Sequence, residues 1–200
     1  MYVYIIFLYL YKIRKVIMKI TLVMGIQGSG KSTLSIEFQK RFGFVHVSTG
    51  DLLRDHIKNE TTFGKIYKSA YEKGEMAPDK VLYGIIQDAL FGYLGDDVII
   101  LDGFPRNMTQ VKWLESKYNV IDCILITLPI AVATGRLLNR GRVDDTESAI
   151  ETRFALYKEH TKPIIDHYES NKKLVMVNGD QSVEDMYREA VDKMGRFTTI

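Results

Sequence analysis

The sequence predicts an α/β fold, a five-stranded parallel sheet with helices on both faces. Three observations predict it. Five short, continuously apolar runs punctuate the chain. Helical stretches separate them, with no repeat, low-complexity tract or long linker. The first run passes through a glycine-rich turn directly into a helix. Short strands without polar alternation belong to sheets buried on both faces, and intervening helices make the pairing parallel. Crossovers in such sheets are right-handed, and ligands bind at the carboxyl ends of the strands.

The elements follow in order. Lys19–Met24 is the first strand, and Gly25–Gly30 is the turn. Lys31–Arg41 is a helix with Leu34 and Phe38 on one face. Phe44–Val47, Val98–Leu101, Ile121–Leu128 and Leu174–Val177 are the remaining strands. Between them, helical patterns cover Asp51–Lys58, Thr62–Lys73, Pro78–Phe91, Met108–Tyr118, Ala131–Asn139, Glu147–Glu169 and Val183–Met194. Pro163 predicts a kink or restart inside Glu147–Glu169.

Two hundred residues suffice for one domain with a substantial core, and 46% hydrophobic with 26% charged residues is ordinary for a globular chain. A net charge of +2 gives no electrostatic footprint for nucleic acid. The single cysteine, Cys123, excludes an internal disulfide and a four-cysteine zinc site, and no zinc is expected. It sits in an apolar run and reads as a core side chain in a cytoplasmic protein. His46, His56, His160 and His167 have no metal-ligand spacing and read as structural or surface groups. Trp113 and the tyrosines form no stacking pattern.

Residues 1–17 stand apart. Met1–Tyr11 is almost wholly apolar and is followed by Lys12, Arg14 and Lys15. Eleven residues are too few to span a bilayer, which takes about 20. A signal peptide has the opposite order of charge and apolar residues. A start at Met18 would open directly on the first strand. The segment is therefore expected to be a non-essential extension. Membrane contact, if any, would run through it as a weak interfacial anchor.

The chemistry begins at Gly25-Ile-Gln-Gly-Ser-Gly30-Lys31-Ser32-Thr33, which fits the pattern G-x-x-x-x-G-K-[ST] between a strand and a helix. Glycines let backbone N–H groups turn toward phosphate oxygens, and the helix N-terminus adds positive potential. Gly25, Gln27, Gly28, Ser29, Gly30, Lys31, Ser32 and Thr33 are thus expected to bind ATP. Lys31 would lie on the β- and γ-phosphates, and Ser32 or Thr33 could hold Mg²⁺ directly or through water. This phosphate loop defines a P-loop NTPase fold and by itself does not distinguish a kinase from a motor or a GTPase.

Three further blocks resemble the adenylate kinase family, the P-loop nucleoside monophosphate kinases, of the short-lid type. They are Val47-Ser-Thr-Gly-Asp51-Leu-Leu-Arg54, Leu101-Asp102-Gly-Phe-Pro-Arg106 and Gly141-Arg142-Val-Asp144-Asp145. With the phosphate loop they occur in the family's order, and the resemblance covers roughly Lys19 to Met194. It implies one kinase domain over residues 18–200, a helical acceptor-binding insertion at about 49–78, and a very short lid at about 136–146. It implies reversible phosphoryl transfer from Mg-ATP to AMP by a cytoplasmic monomer, with Mg²⁺ held through Ser32 and, through water, Asp102.

Residue roles carry over from the resemblance. Arg54 and Arg106 match the arginines that grip the acceptor's α-phosphate. Arg136 and Arg142 match those covering the ATP phosphates, with Arg136 near adenine. Arg140 and Arg153 match transfer-site arginines, and Arg142 and Arg153 also face the acceptor. Arginine suits the task, because its planar fork binds phosphate in a bidentate way and stays charged. Asp144 and Asp145 read equally as bonds to lid backbone or as a cap for the helix near Glu147. Thr49, Ala77, Gly103 and Gln110 fall at acceptor-site positions, and Gln181 lies beside the ATP base.

Thr49 and Gln110 favour AMP, because pyrimidine monophosphate kinases usually carry Ala and Asn there. A glutamine amide offers both a donor and an acceptor to adenine. The alternatives are a UMP/CMP kinase on the same fold, or a nucleotide-binding scaffold without transfer. The chain departs from the family's pattern at Gln27, Ser32, Ala77 and Gln181. It also departs in the lid, where Arg140 and Gly141 are adjacent.

Overall fold

The computed structural model describes residues 18–93 and 97–195; residues 1–17 lie outside them. Five parallel strands form one sheet: β1 (Lys19–Gly25), β2 (Val45–Ser48), β3 (Val98–Asp102), β4 (Asn119–Thr127) and β5 (Leu174–Asn178), in the order β2-β3-β1-β4-β5. Each expected strand is present to within two residues at either end. The eight helices among the described residues are α1 (Lys31–Phe42), α2 (Thr49–Lys58), α3 (Thr62–Glu72), α4 (Asp79–Leu90), α5 (Met108–Lys117), α6 (Ile130–Arg140), α7 (Glu147–Ser170) and α8 (Val183–Met194).

Strand side chains alternate between two cores, as a pleat requires. Ile20, Leu22 and Met24 of β1 face one core with Ile99, Leu101, Cys123 and Leu125, under α4, α5 and α7. Val23, Ile100, Ile124 and Ile126 face the other, under Leu34 and Phe38 of α1 and Met186, Ala190 and Val191 of α8. Each fully buried Leu or Ile contributes about 1.5–3 kcal/mol relative to exposure.

Local chemistry sets the helix starts. Ser48, Thr61, Asn107, Thr146 and Ser182 each accept a hydrogen bond from the backbone N–H three residues on. The capping Ser48 starts α2 two residues earlier than the hydrophobic pattern indicated. Thr146, not Asp144 or Asp145, caps α7. Helix α7 runs unbroken through Pro163, where the sequence predicted a kink or restart. Thr161, Ile164 and Tyr168 are buried on both sides of the proline, and this packing outweighs one lost helical hydrogen bond.

β2 and β3 lie on one side of β1, and β4 and β5 on the other. The carboxyl ends of β1, β3 and β4 therefore open on a common crevice, where α/β sheets bind ligands.

Candidate active site

A cleft of about 340 Å³ occupies this crevice. Its floor is the loop from Gly25 to Gly30. Gly25 has φ 147°, and a Cβ there would stand 2.6 Å from the backbone oxygen of Ile126. Only glycine lets the loop approach β4 this closely. Gly30 takes the left-handed N-cap position of α1 with φ 100°, aiming the helix N-terminus into the cleft. Ser29 is fully buried behind the loop, whereas Gln27, Gly28, Ser32 and Thr33 line the cleft.

Lys31 folds back over the loop. Its Nζ donates to the carbonyl oxygens of Gly25 at 2.9 Å and Ile26 at 3.0 Å. Desolvation pushes its pKa down to about 8 against the opposing pull of Asp102, and Arg106 and Arg140 add to the lowering. A phosphate would reverse this imbalance. Ser32 Oγ donates to Asp102 Oδ2 at 2.6 Å, so the two hard oxygen donors meet at the end of β3. Burial alone would raise the Asp102 pKa. The nearby His46, the Lys31 charge and the Ser32 hydroxyl together hold it below the ordinary carboxylate value. His46 Nε2 stands 3.5 Å from Asp102 Oδ2, a close polar approach rather than a well-formed hydrogen bond. Among the described residues, no group of three or more His, Cys, Asp or Glu side chains is placed to hold a metal ion.

The arginines form the facing wall. Arg54 of α2, Arg106 after β3, Arg136 and Arg140 of α6, Arg142 after it and Arg153 of α7 all line the cleft. Most are held by partners. Arg54 donates to Asp51 and, at 3.1 Å, to the Tyr71 hydroxyl. Arg106 Nε donates to Gly103 O at 2.9 Å. Burial lowers the Arg106 pKa, with Tyr67 opposing and Arg153 adding to the shift. Arg140 makes a two-pronged pair with Asp145, at 2.8 and 2.6 Å. Arg153 is buried and donates to the Asp144 carboxylate at 2.6 Å and to its carbonyl at 3.0 Å. Arg136 donates to Gly179 O at 3.0 Å. The Arg142 guanidinium has no hydrogen bond among the described residues. Partial burial lowers its pKa, as do the charges of Arg54 and Arg140.

Asp145 also accepts from the Arg142 backbone N–H at 3.2 Å, so both aspartates brace the six-residue connection from α6 to α7. Gln181, Thr49, Ala77 and Gln110 do not line the cleft as it stands. The Gln181 amide donates to Asn178 O and to Glu189. Ala77 packs in the first core. Thr49 is buried, with its hydroxyl lacking a hydrogen-bond partner. Gln110 is fully buried, and both ends of its amide are engaged. Its oxygen accepts from Arg106 N at 2.6 Å, and its nitrogen donates to Asp79 at 2.7 Å. One N–H and one lone pair of the amide remain.

Sequence reasoning missed Tyr67 and Tyr71, which line the cleft from α3. The signal was present, since Phe63, Tyr67 and Tyr71 recur every four residues and form one helical stripe. It likewise missed the packing of Tyr83 on Trp113, ring centroids 4.1 Å apart, beneath Phe104.

A glycine-rich phosphate loop facing six arginines across one cleft is the arrangement of a P-loop nucleoside monophosphate kinase. The adenylate kinase family profile matches residues 23–173. The adenylate kinase of Prochlorococcus marinus is 37% identical over 170 residues, covering 82% of this chain and 92% of the relative. Adenylate kinase 1 of Nostoc is 36% identical over 177 residues, covering 86% and 96%. The adenylate kinase of Bacteroides thetaiotaomicron is 34% identical over 184 residues, covering 86% and 97%. The chain belongs to the adenylate kinase family.

Proposed function

We propose that the enzyme catalyses reversible transfer of the γ-phosphoryl group of Mg-ATP to AMP, giving two ADP, with the residues below in the stated roles. The observation that carries this reading is the single cleft shared by the phosphate loop and the arginines. An AMP phosphate oxygen attacks the γ-phosphorus, and the bond from that phosphorus to the β,γ-bridging oxygen breaks. The nucleophile is already ionised, so no general base is needed. Positioning and charge stabilisation supply the catalysis.

Lys31 and the loop N–H groups hold the β- and γ-phosphates. Arg54 and Arg106 hold the acceptor phosphate, and Arg140, Arg142 and Arg153 offset charge on the group in flight. Arg136 and the backbone near Gln181 flank the donor base. A magnesium ion accompanying ATP would be held by Ser32 and Asp102 and would supply charge neutralisation at the phosphates. Ser32 and Asp102 fit it, being paired hard oxygen donors with the carboxylate kept ionised. Adenine as the acceptor base is read from the residue types Thr49 and Gln110; both are buried and neither lines the cleft as it stands.

No helix among the described residues is long and apolar enough to cross a membrane. The reading takes the enzyme as a cytoplasmic monomer, which size-exclusion chromatography tests.

The test is ADP formation from Mg-ATP with AMP, UMP, CMP or GMP, for the wild type and Arg106→Ala. Turnover with AMP alone, lost in the variant, supports the reading. Preference for UMP or CMP would overturn the acceptor assignment, and no transfer to any of them would overturn the kinase assignment.

A further inference from the structure

The acceptor arginine Arg54 and the transfer arginine Arg153 sit on different elements, α2 and α7. One side chain touches both. The Tyr71 hydroxyl accepts from Arg54 Nη1 at 3.1 Å. The Arg153 guanidinium lies over the Tyr71 ring, 5.6 Å from its centroid. Arg153 Nη2 also donates to the Tyr71 carbonyl at 3.4 Å. Tyr71 itself lines the cleft. We propose that Tyr71 is a positioning residue that ties the acceptor-phosphate grip of Arg54 to the charge-stabilising Arg153. The proposal rests on the roles given to those two arginines above.

In the free protein Arg54 has two hydrogen-bond partners, Asp51 and Tyr71. Asp51 is an anion on an exposed helix face, so an arriving phosphate competes with it for the same fork. The tyrosine hydroxyl is neutral and accepts through one lone pair. It can therefore keep hold of Nη1 while the rest of the guanidinium turns to the phosphate. Burial raises the pKa of Tyr71 against the opposing pull of Arg54, so the phenol stays neutral through physiological pH. On its other side the ring supplies a cation–π face to a buried arginine, an interaction that strengthens when water is excluded.

The ring is itself positioned. Phe63 stacks on Tyr67, ring centroids 5.4 Å apart, and Tyr67 meets Tyr71 edge-on at 6.1 Å. Tyr67 is anchored by donating to Glu75 O at 2.6 Å. The stripe along α3 thus fixes Tyr71 at the seam between the acceptor-binding helices and α7.

Two variants separate the halves of the proposal. Tyr71→Phe keeps the ring and loses the hydroxyl. It is expected to raise KM for AMP about tenfold, the loss of one hydrogen bond to a charged group, with kcat and KM for ATP within about twofold of wild type. Tyr71→Leu is expected to repeat that loss and to lower kcat about tenfold as well, because Arg153 loses its support. A merely structural role would change both substrates alike. Equal effects on ATP and AMP, or an unchanged KM for AMP in Tyr71→Phe, would overturn the proposal. Titration calorimetry of AMP reads the same contact without transfer. If the wild type binds AMP but does not transfer, the proposed function falls, and the ratio of AMP dissociation constants still decides on Tyr71.

Discussion

Along the floor of the cleft, the groups proposed to bind phosphate belong to the backbone, and a lysine rests on the loop's own carbonyls. Across from it, the groups are arginine side chains, most of them already occupied by aspartates, a tyrosine or backbone carbonyls. The floor is fixed by steric necessity at Gly25. The wall is held by partners of which one, Asp51, is exposed, while Asp144 and Asp145 are buried. Buried carboxylates that fix a guanidinium act as struts, whereas an exposed one is open to competition from an arriving phosphate under the proposed function.

The largest effects should come from deleting one charge on either side. Lys31→Ala and Arg106→Ala are each expected to lower kcat/KM on the order of 10²–10³-fold, with folding retained. Steady-state kinetics with Mg-ATP and AMP check this. If floor and wall are separate devices, Lys31→Ala raises KM for ATP more than for AMP, and Arg106→Ala does the reverse. A pattern identical in both variants would break the comparison.

Next comes rigidity. A Cβ at Gly25 would meet the backbone oxygen of Ile126 and the Ser29 hydroxyl, each at 2.6 Å, with φ at 147°, and the backbone oxygen cannot move aside. Gly25→Ala should therefore destabilise the fold by about 3 kcal/mol, read from denaturant melts. On the wall, Asp145→Asn should be milder, about 1–3 kcal/mol, because it breaks a charge-assisted pair whose carboxylate is buried. Burial opposes ionisation of Asp145, but the Arg140 hydrogen bond and charge hold its pKa below the ordinary 3.8. Its folded pKa is depressed, so its stabilisation is present above pH 4 and is lost as pH falls through the folded value. Acid melts of the wild type and Asp145→Asn should thus converge as pH falls through the folded value.

The reading of the sequence succeeded where local rules decide. Five apolar runs gave five strands, and the glycine spacing gave the phosphate loop, because strand burial and tight turns are encoded residue by residue. It placed six arginines at one cleft through resemblance, yet not their partners. Asp144 and Asp145 looked like lid-backbone or capping groups, and their pairing with Arg153 and Arg140 depends on how α6 and α7 meet. Tyr71 was passed over for the same reason. Its significance lies in touching two helices far apart in sequence, which no periodicity along α3 records. Pro163 was misjudged because a local penalty was weighed without the tertiary packing on either side.

The smallest predicted effect separates floor from wall by pH. Lys31 in the free enzyme has its pKa pushed down to about 8, whereas the wall's arginines keep their charge. Bound triphosphate restores the lysine's proton. Below pH 8 the lysine is charged before and after binding, so ATP affinity should be flat. Above it, binding must take up a proton, so the dissociation constant should rise toward tenfold per pH unit. AMP, held by arginines, should show no such rise over the same range. Calorimetry from pH 7 to 9.5, in buffers of different ionisation enthalpy, measures both the affinity and the proton count. A rise for ATP alone would locate the titrating group on the floor. Parallel curves for the two nucleotides would mean that one electrostatic field spans the cleft, and that floor and wall are one device.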